Sequence, residues 1–181
     1  MSAAGHDGRG VEAWDEQADV VIVGAGESGL AAAIESVDAG ASAIILEKMA
    51  TVKTTSTAMS LGVFAFAGTE LQQRNGVRDS SELLYQDIMK AGKWSNYEPL
   101  VQAFLAQQLD SYNWLTALGV KWIALRMYGG SSVPRGHITD PVAQLEILQK
   151  TAEHKGVKLL FRTKVTELVA DAEQKIVGVC A

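Results

Sequence analysis

The sequence predicts an α/β fold: a Rossmann-like parallel sheet with packed helices and a C-terminal antiparallel β-hairpin or meander. Three observations predict it. A valine-rich run, Asp19–Val23, leads into "GAGESG" and then into small and apolar residues at helical spacing. A second apolar run, Ser42–Leu46, follows and closes on Glu47. Near the end, two β-rich runs flank the polar "DAEQ", the pattern of a hairpin. The first two make a β-α-β unit of the size a right-handed crossover needs.

Each element follows from local chemistry. Residues 1–17 are polar, contain glycine and lack periodicity, so they predict a flexible tail, with Val11 and Trp14 resting on the domain. Residues 18–181 form the domain. Asp19–Val23 and Ser42–Leu46 are apolar throughout, as buried parallel strands are. Gly29–Ala39 is the helix between them, ended by Gly40. Residues 49–73 are rich in Thr, Ser, Ala and Gly and predict a ligand-facing segment with a short helix. Ser81–Ala91 predicts a helix with Asp79 and Glu82 in capping-box positions. Pro99–Leu118 predicts a longer one, with Val101, Leu105, Leu109, Tyr112 and Leu115 on its apolar face. A short strand is expected within Gly119–Leu125 and a loop over Met127–Asp140. Asp140 caps a helix that starts at Pro141 and stops at Gly156. Val157–Phe161, Val165–Ala170 and Lys175–Val179 are the remaining strands.

Composition bounds the function. The chain has 181 residues, 48% of them hydrophobic, and a net charge of −5. That balance argues against nucleic acid or an anionic membrane as the main partner. No apolar run is long enough for a membrane span. No signal-peptide pattern opens the chain, so the expected location is cytoplasmic. Cys180 is the single cysteine, and the three histidines lack metal-ligand spacing. His6 is expected to be solvated, and no metal is expected.

Gly24, Gly26 and Gly29 form G-x-G-x-x-G after a strand and at the mouth of a helix. The first glycine permits the tight turn, the second lets backbone approach a pyrophosphate, and the third lets helix and strand pack closely. Ser28 lies inside the motif. The pyrophosphate would lie over the helix N-terminus, where free N–H groups and the dipole favour negative charge. Glu47 closes the second strand 18 residues after Gly29 and can accept hydrogen bonds from an adenosine ribose. An acid there disfavours a ribose 2′-phosphate. The unit predicts an adenine dinucleotide without choosing between FAD and NAD.

From Trp14 onward the chain resembles the flavoprotein family of soluble fumarate reductases, urocanate reductases and 3-ketosteroid Δ1-dehydrogenases. The resemblance rests on "DVVIVGAGESGLAAAIESVDAGASAIILEKM", "AGTELQQRNGVRDSSELLYQD", "WLTALGVKW", "GGSSVPRGH" and "GVKLLFRTKVTELVADAEQKIVGV". It implies FAD, with hydride moving between flavin N5 and an activated C–C bond. It also implies that Lys48 and Met49 line the adenosine side and that Thr54, Thr55, Ser56 and Thr57 lie against pyrophosphate and ribityl chain. Ser60 to Gly62 would lie near the isoalloxazine, and the backbone of Val165 would read the adenine edge. Thr55 occupies the position of the flavin-linking histidine of membrane succinate dehydrogenases, so the FAD is expected to be non-covalent.

Two departures matter. Lys53, Thr54 and Thr55 stand where the family has Gly-Gly and a small polar residue, so the loop path is expected to differ. The capping domain that carries the family's substrate-binding groups has no counterpart in these residues. The reading is therefore the FAD-binding portion or subunit of an oxidoreductase acting on an activated C–C bond. The alternative is a non-catalytic FAD- or ADP-binding subunit, or a vestigial α/β module, that needs a partner chain. An open sheet edge should favour a partner or self-association. No catalytic residue is assigned. Arg135 and His137 suit a loop-ordering role, with a salt bridge from Arg135 to Asp140, better than acid/base work. Tyr112, Trp114 and Phe104 are expected in the core.

Overall fold

A computed structural model describes residues 14–181. His6, Val11 and most of the expected tail lie outside the described residues. In chain order the elements are β1 (Val20–Val23), α1 (Glu27–Asp38), β2 (Ala43–Glu47), a 3₁₀ turn (Val52–Thr54), β3 (Val63–Ala65), α2 (Glu70–Arg74) and α3 (Ser81–Ala91). They continue as α4 (Glu98–Ala117), β4 (Ala124–Arg126), β5 (Gly136–Ile138), α5 (Pro141–His154), β6 (Lys158–Phe161), β7 (Glu167–Ala170) and β8 (Ile176–Cys180). They divide into two compact units, Met1–Thr55 with Gln149–Ala181, and Ser56–Leu148.

The first unit holds a parallel sheet in the order β1-β2-β6. Val20 pairs with Ala43 and Ile44 with Lys158, so β2 is hydrogen-bonded on both edges. All five residues of β2 are buried, which explains its unbroken apolar run. Leu30, Ala33 and Ile34 form the buried stripe of α1. Asp19 and Ser42 latch the amino ends of β1 and β2: Ser42 donates its N–H at 2.8 Å and its hydroxyl at 2.6 Å to Asp19 Oδ2. The expected hairpin is β7–β8, closed by the Asp171 N–H donating to the Lys175 carbonyl at 2.9 Å. Gly178 has Trp14 against it, so a Cβ there would lie 2.2 Å from the indole. Lys158 pairs with Glu16.

The second unit carries an antiparallel sheet in the order β3-β5-β4, with α3 packed on α4. β4 overlaps the strand expected within Gly119–Leu125, whereas β3 falls in the expected ligand-facing segment and β5 in the expected loop over Met127–Asp140. They are too short for an alternating pattern to register. Its core is an aromatic cluster in which Phe66, Tyr112 and Trp122 surround the fully buried His137 at centroid separations of 5.4 to 5.9 Å.

Three further expectations are corrected. The cap of α3 is Ser80, which accepts the Leu83 N–H at 3.1 Å, because Asp79 is engaged by Arg135. On α4 the buried face carries Gln108, while Leu109 is 37% exposed. The Gln108 amide is satisfied by the Ala67 N–H at 2.8 Å and carbonyl at 3.1 Å, which makes its burial tolerable. Of the three aromatics on α4, Tyr112 is buried, Trp114 is half-buried and Phe104 is 39% exposed.

No helix among the described residues is long and apolar enough to cross a membrane.

Candidate functional site

The carboxyl ends of β1 and β2 carry the glycine motif and Glu47. Gly24 has φ +102, a left-handed value that allows β1 to turn sharply into α1. A Cβ on Gly29 would lie 2.0 Å from the Gly24 carbonyl oxygen, so only glycine lets the helix approach this closely. Gly26 is the N-cap residue of α1 and has no side-chain cap bond. Ser28 lies in the first turn. Glu27 also opens the helix, so one acidic side chain stands there too.

Glu47 is 5% exposed and organises this loop. Its Oε2 accepts the Ala25 N–H at 2.8 Å, and its Oε1 accepts the Met49 N–H at 2.7 Å. Gly24 N–H donates to the Leu46 carbonyl at 2.8 Å. The turn after β6 joins the same end: Thr163 N–H donates to the Glu47 carbonyl and Arg162 N–H to the Met49 carbonyl, each at 2.9 Å. A carboxylate oxygen has two lone pairs, so each still has capacity for a ribose hydroxyl.

The other expected positions are distributed as follows. Lys48 is exposed and Met49 half-buried beside Glu47. The Lys53-Thr54 pair is accommodated in a 3₁₀ turn with no left-handed residue. Within it the Thr54 hydroxyl donates to the Thr51 carbonyl at 3.1 Å and the Thr55 hydroxyl to the Val52 carbonyl at 2.8 Å. Val165 precedes β7 instead of opening it, and its backbone N–H and C=O have no partner among the described residues. Ser56, Thr57 and Gly62 fall in the second unit. There Gly62 accepts the Thr139 N–H at 2.9 Å, and a Cβ would lie 2.3 Å from the Thr139 oxygen.

Arg135 and His137 belong to an internal network of the second unit. Arg135 donates to both oxygens of Asp79, at 2.7 and 2.8 Å, and to Asp87 Oδ2 at 2.5 Å. The expected bridge to Asp140 is absent, because Asp140 Oδ1 caps α5 through the Val142 and Ala143 N–H groups at 2.9 and 3.1 Å. Burial opposes the charge on Arg135, but its bonds to Asp79 and Asp87 outweigh that and raise its pKa. Burial also opposes the Asp87 carboxylate, which the Ser132 N–H, Arg135 and the Ser132 hydroxyl nonetheless hold below the ordinary range. His137 contacts Thr69 Oγ1 at 2.7 Å and the Arg135 carbonyl at 2.8 Å, and burial lowers its pKa. Both side chains are buried. No cluster of metal-ligating residues exists among the described residues.

A glycine turn with open space at Gly24, at a helix start without a side-chain cap and beside a buried acid, fits an adenine dinucleotide. The profile of the FAD binding domain family matches residues 19–181. The chain belongs to that family.

Among similar members, a cytochrome-type fumarate reductase from Shewanella frigidimarina is 32% identical over 166 residues, covering 89% of this chain and 29% of the relative. A urocanate reductase from Eggerthella lenta is 36% identical over 169 residues, covering 90% of this chain and 28% of that protein. The solved structure of a 3-ketosteroid-Δ4-(5α)-dehydrogenase from Rhodococcus jostii, in complex with 4-androstene-3,17-dione, superposes with a TM-score of 0.86 at 28% identity. That match covers 93% of this chain and 42% of that one. The FAD-binding chain thus spans under a third of the length of the two reductases.

Proposed function

We propose that residues 18–181 are the FAD-binding portion of an oxidoreductase that reduces or desaturates an activated C–C bond. The observation that carries this reading is the glycine loop tied to buried Glu47 by the 2.8 Å bond from Ala25. Gly24, Gly26, Ser28 and Gly29 receive the pyrophosphate at the start of α1. Glu47 accepts the ribose hydroxyls, and Lys48 and Met49 flank the adenosine. Val165 offers its unpaired backbone donor and acceptor to the adenine edge. In the first unit Thr54 and Thr55 are the contacts toward the flavin, and the second unit offers Ser56, Thr57 and Gly62. When bound, the flavin supplies hydride transfer at N5; these residues bind and orient it. Thr55 has no nucleophilic nitrogen, so the cofactor is held non-covalently.

β1 supports a partner or a completing segment. It stands at an edge of its sheet among the described residues, and Val21 and Val23 are 40% and 59% exposed. A strand laid along β1 would pair its free backbone groups, and a layer packed on the face that carries both valines would cover them.

A second reading, a binding module with no chemistry of its own, is favoured by one observation. Arg135 and His137, the acid/base candidates of the second unit, are buried and hydrogen-bonded within it.

The test is to denature purified or reconstituted protein and quantify what is released. Close to one FAD per chain, with no flavin left on the polypeptide, is expected. Release of NAD, or flavin retained on denatured chain, would sink the assignment. Dye-linked turnover that appears only with a second polypeptide would separate an oxidoreductase portion from a binding module.

A further inference from the structure

A cavity of about 190 Å³, partly open to solvent, is walled by residues of β3, α3, the loop after β4 and the start of β5, all within the second unit. Val63, Leu84, Ile88 and Ala91 make most of its surface apolar. A missing side chain is part of the space. A Cβ on Gly136 would lie 3.2 Å from the Val63 side chain and 3.6 Å from that of Tyr128, two of the other walls. An apolar cavity of about 150 Å³ takes benzene, so this one has room for a single ring or a branched alkyl group with a short arm.

The charge at the wall selects the arm. Arg135 is bonded to two carboxylates, Asp79 and Asp87, so the trio carries one uncompensated negative charge. The Arg135 and Asp79 side chains are 1% and 0% exposed, whereas that of Asp87 is 13% exposed. Of the trio, Arg135 and Asp87 line the cavity, and the more accessible of the two is the carboxylate. Asp87 Oδ2 is fully used: it accepts the Ser132 N–H and hydroxyl, each at 2.8 Å, and Arg135 Nη1 at 2.5 Å. Oδ1 accepts no hydrogen bond among the described residues. A charge-assisted donor is the natural complement of such an oxygen. Tyr128 adds an aromatic wall, and tyrosine rings attract cations to their faces. We propose that this cavity binds a small protonated amine carried on an apolar body, with the ammonium at Asp87 and the body against Val63, Leu84 and Ile88. An anion of the same shape meets the excess negative charge. The inference stands independently of the FAD reading.

Titration of the full chain with benzylamine, benzyl alcohol and benzoate tests it, read from the amide resonances of Gly129, Gly130 and Gly136 in isotope-labelled protein. Benzylamine should shift them and bind about fivefold more tightly than benzyl alcohol at low salt, the scale of one partly exposed ion pair. Benzoate should leave them unmoved. Asp87→Asn keeps the size of the side chain and an acceptor for Ser132 and Arg135, and should bring the amine down to the affinity of the alcohol. Ile88→Phe fills the cavity and should abolish both, with a melting curve to show that the variant is folded. Equal binding of amine and alcohol to the wild-type chain, tighter binding of benzoate, or no shift of the three glycines with any probe overturns the proposal. So does undiminished amine binding in Asp87→Asn. The wild-type series decides by itself if either variant fails to fold.

Discussion

Ala25 donates its backbone N–H to Glu47 Oε2 across 2.8 Å, joining the glycine loop to the end of the neighbouring strand. The acid expected to meet the ribose is therefore also what holds the loop. Glu47→Ala should leave a buried N–H unpaired, at a cost of about 1–3 kcal/mol. Glu47→Gln keeps one carbonyl acceptor and should lose less. Thermal denaturation of the ligand-free chain measures this directly. Equal melting temperatures for wild type and Glu47→Ala would show that the bond does not hold the loop.

Gly29→Ala should be damaging out of proportion to its size. The new Cβ would lie 2.0 Å from the Gly24 oxygen, so β1 and α1 must separate. Overpacking of this kind costs about 1–3 kcal/mol. FAD affinity should fall with it, since the same separation widens the cradle. Denaturant titration and flavin binding on one preparation would reveal any uncoupling.

Arg135→Met should be the most destabilising of these changes. It strands Asp79, whose side chain is 0% exposed, without its bidentate partner. Breaking a buried pair from one side costs about 3–5 kcal/mol. Replacing Arg135 and Asp79 together, by Met and Leu, should recover part of the loss. A double variant no more stable than the single one would mean the damage is steric and not the unpaired charge.

Acid should weaken the second unit in two stages. His137 has a folded pKa below its ordinary 6.5, so its contribution is complete above 6.5 and is lost as the pH falls through the lower folded value. Asp87 is held below its ordinary 3.8, so its contribution is lost only beneath that value. Urea midpoints between pH 7.5 and pH 3 should trace both limbs. His137→Gln should remove the upper one and leave the lower.

The β-α-β unit was legible because its signals are redundant. Apolar runs, three glycines and the terminal acid all fall at spacings with a physical meaning. The Asp140 cap and the β7–β8 hairpin were legible for the same reason. Three-residue strands such as β5 were not, since their pairing is set by partners distant in sequence. Gln108 misled because a polar residue on a helix carries no mark of the Ala67 backbone that satisfies it. Asp79 resembled a cap until Arg135, 56 residues away, claimed it. At the end of β2, spacing singled out Glu47, but nothing in the sequence marked its bond to the Ala25 N–H. The left-handed turn at Arg162 was not legible, because no glycine or asparagine announced it.

The position of β2 has a consequence for how the chain breathes. It is bonded on both edges, and Ile45 at its middle is 0% exposed. The backbone of Ile45 faces β6, as that of Glu47 does, so its buried amide exchanges only when the β2–β6 ladder parts. The β7–β8 ribbon, with one ladder and Leu168 and Ile176 more than half exposed, surrenders its protons earlier. The strand that ends in Glu47 should thus loosen after the exposed ribbon, which keeps the acid in place while that periphery fluctuates.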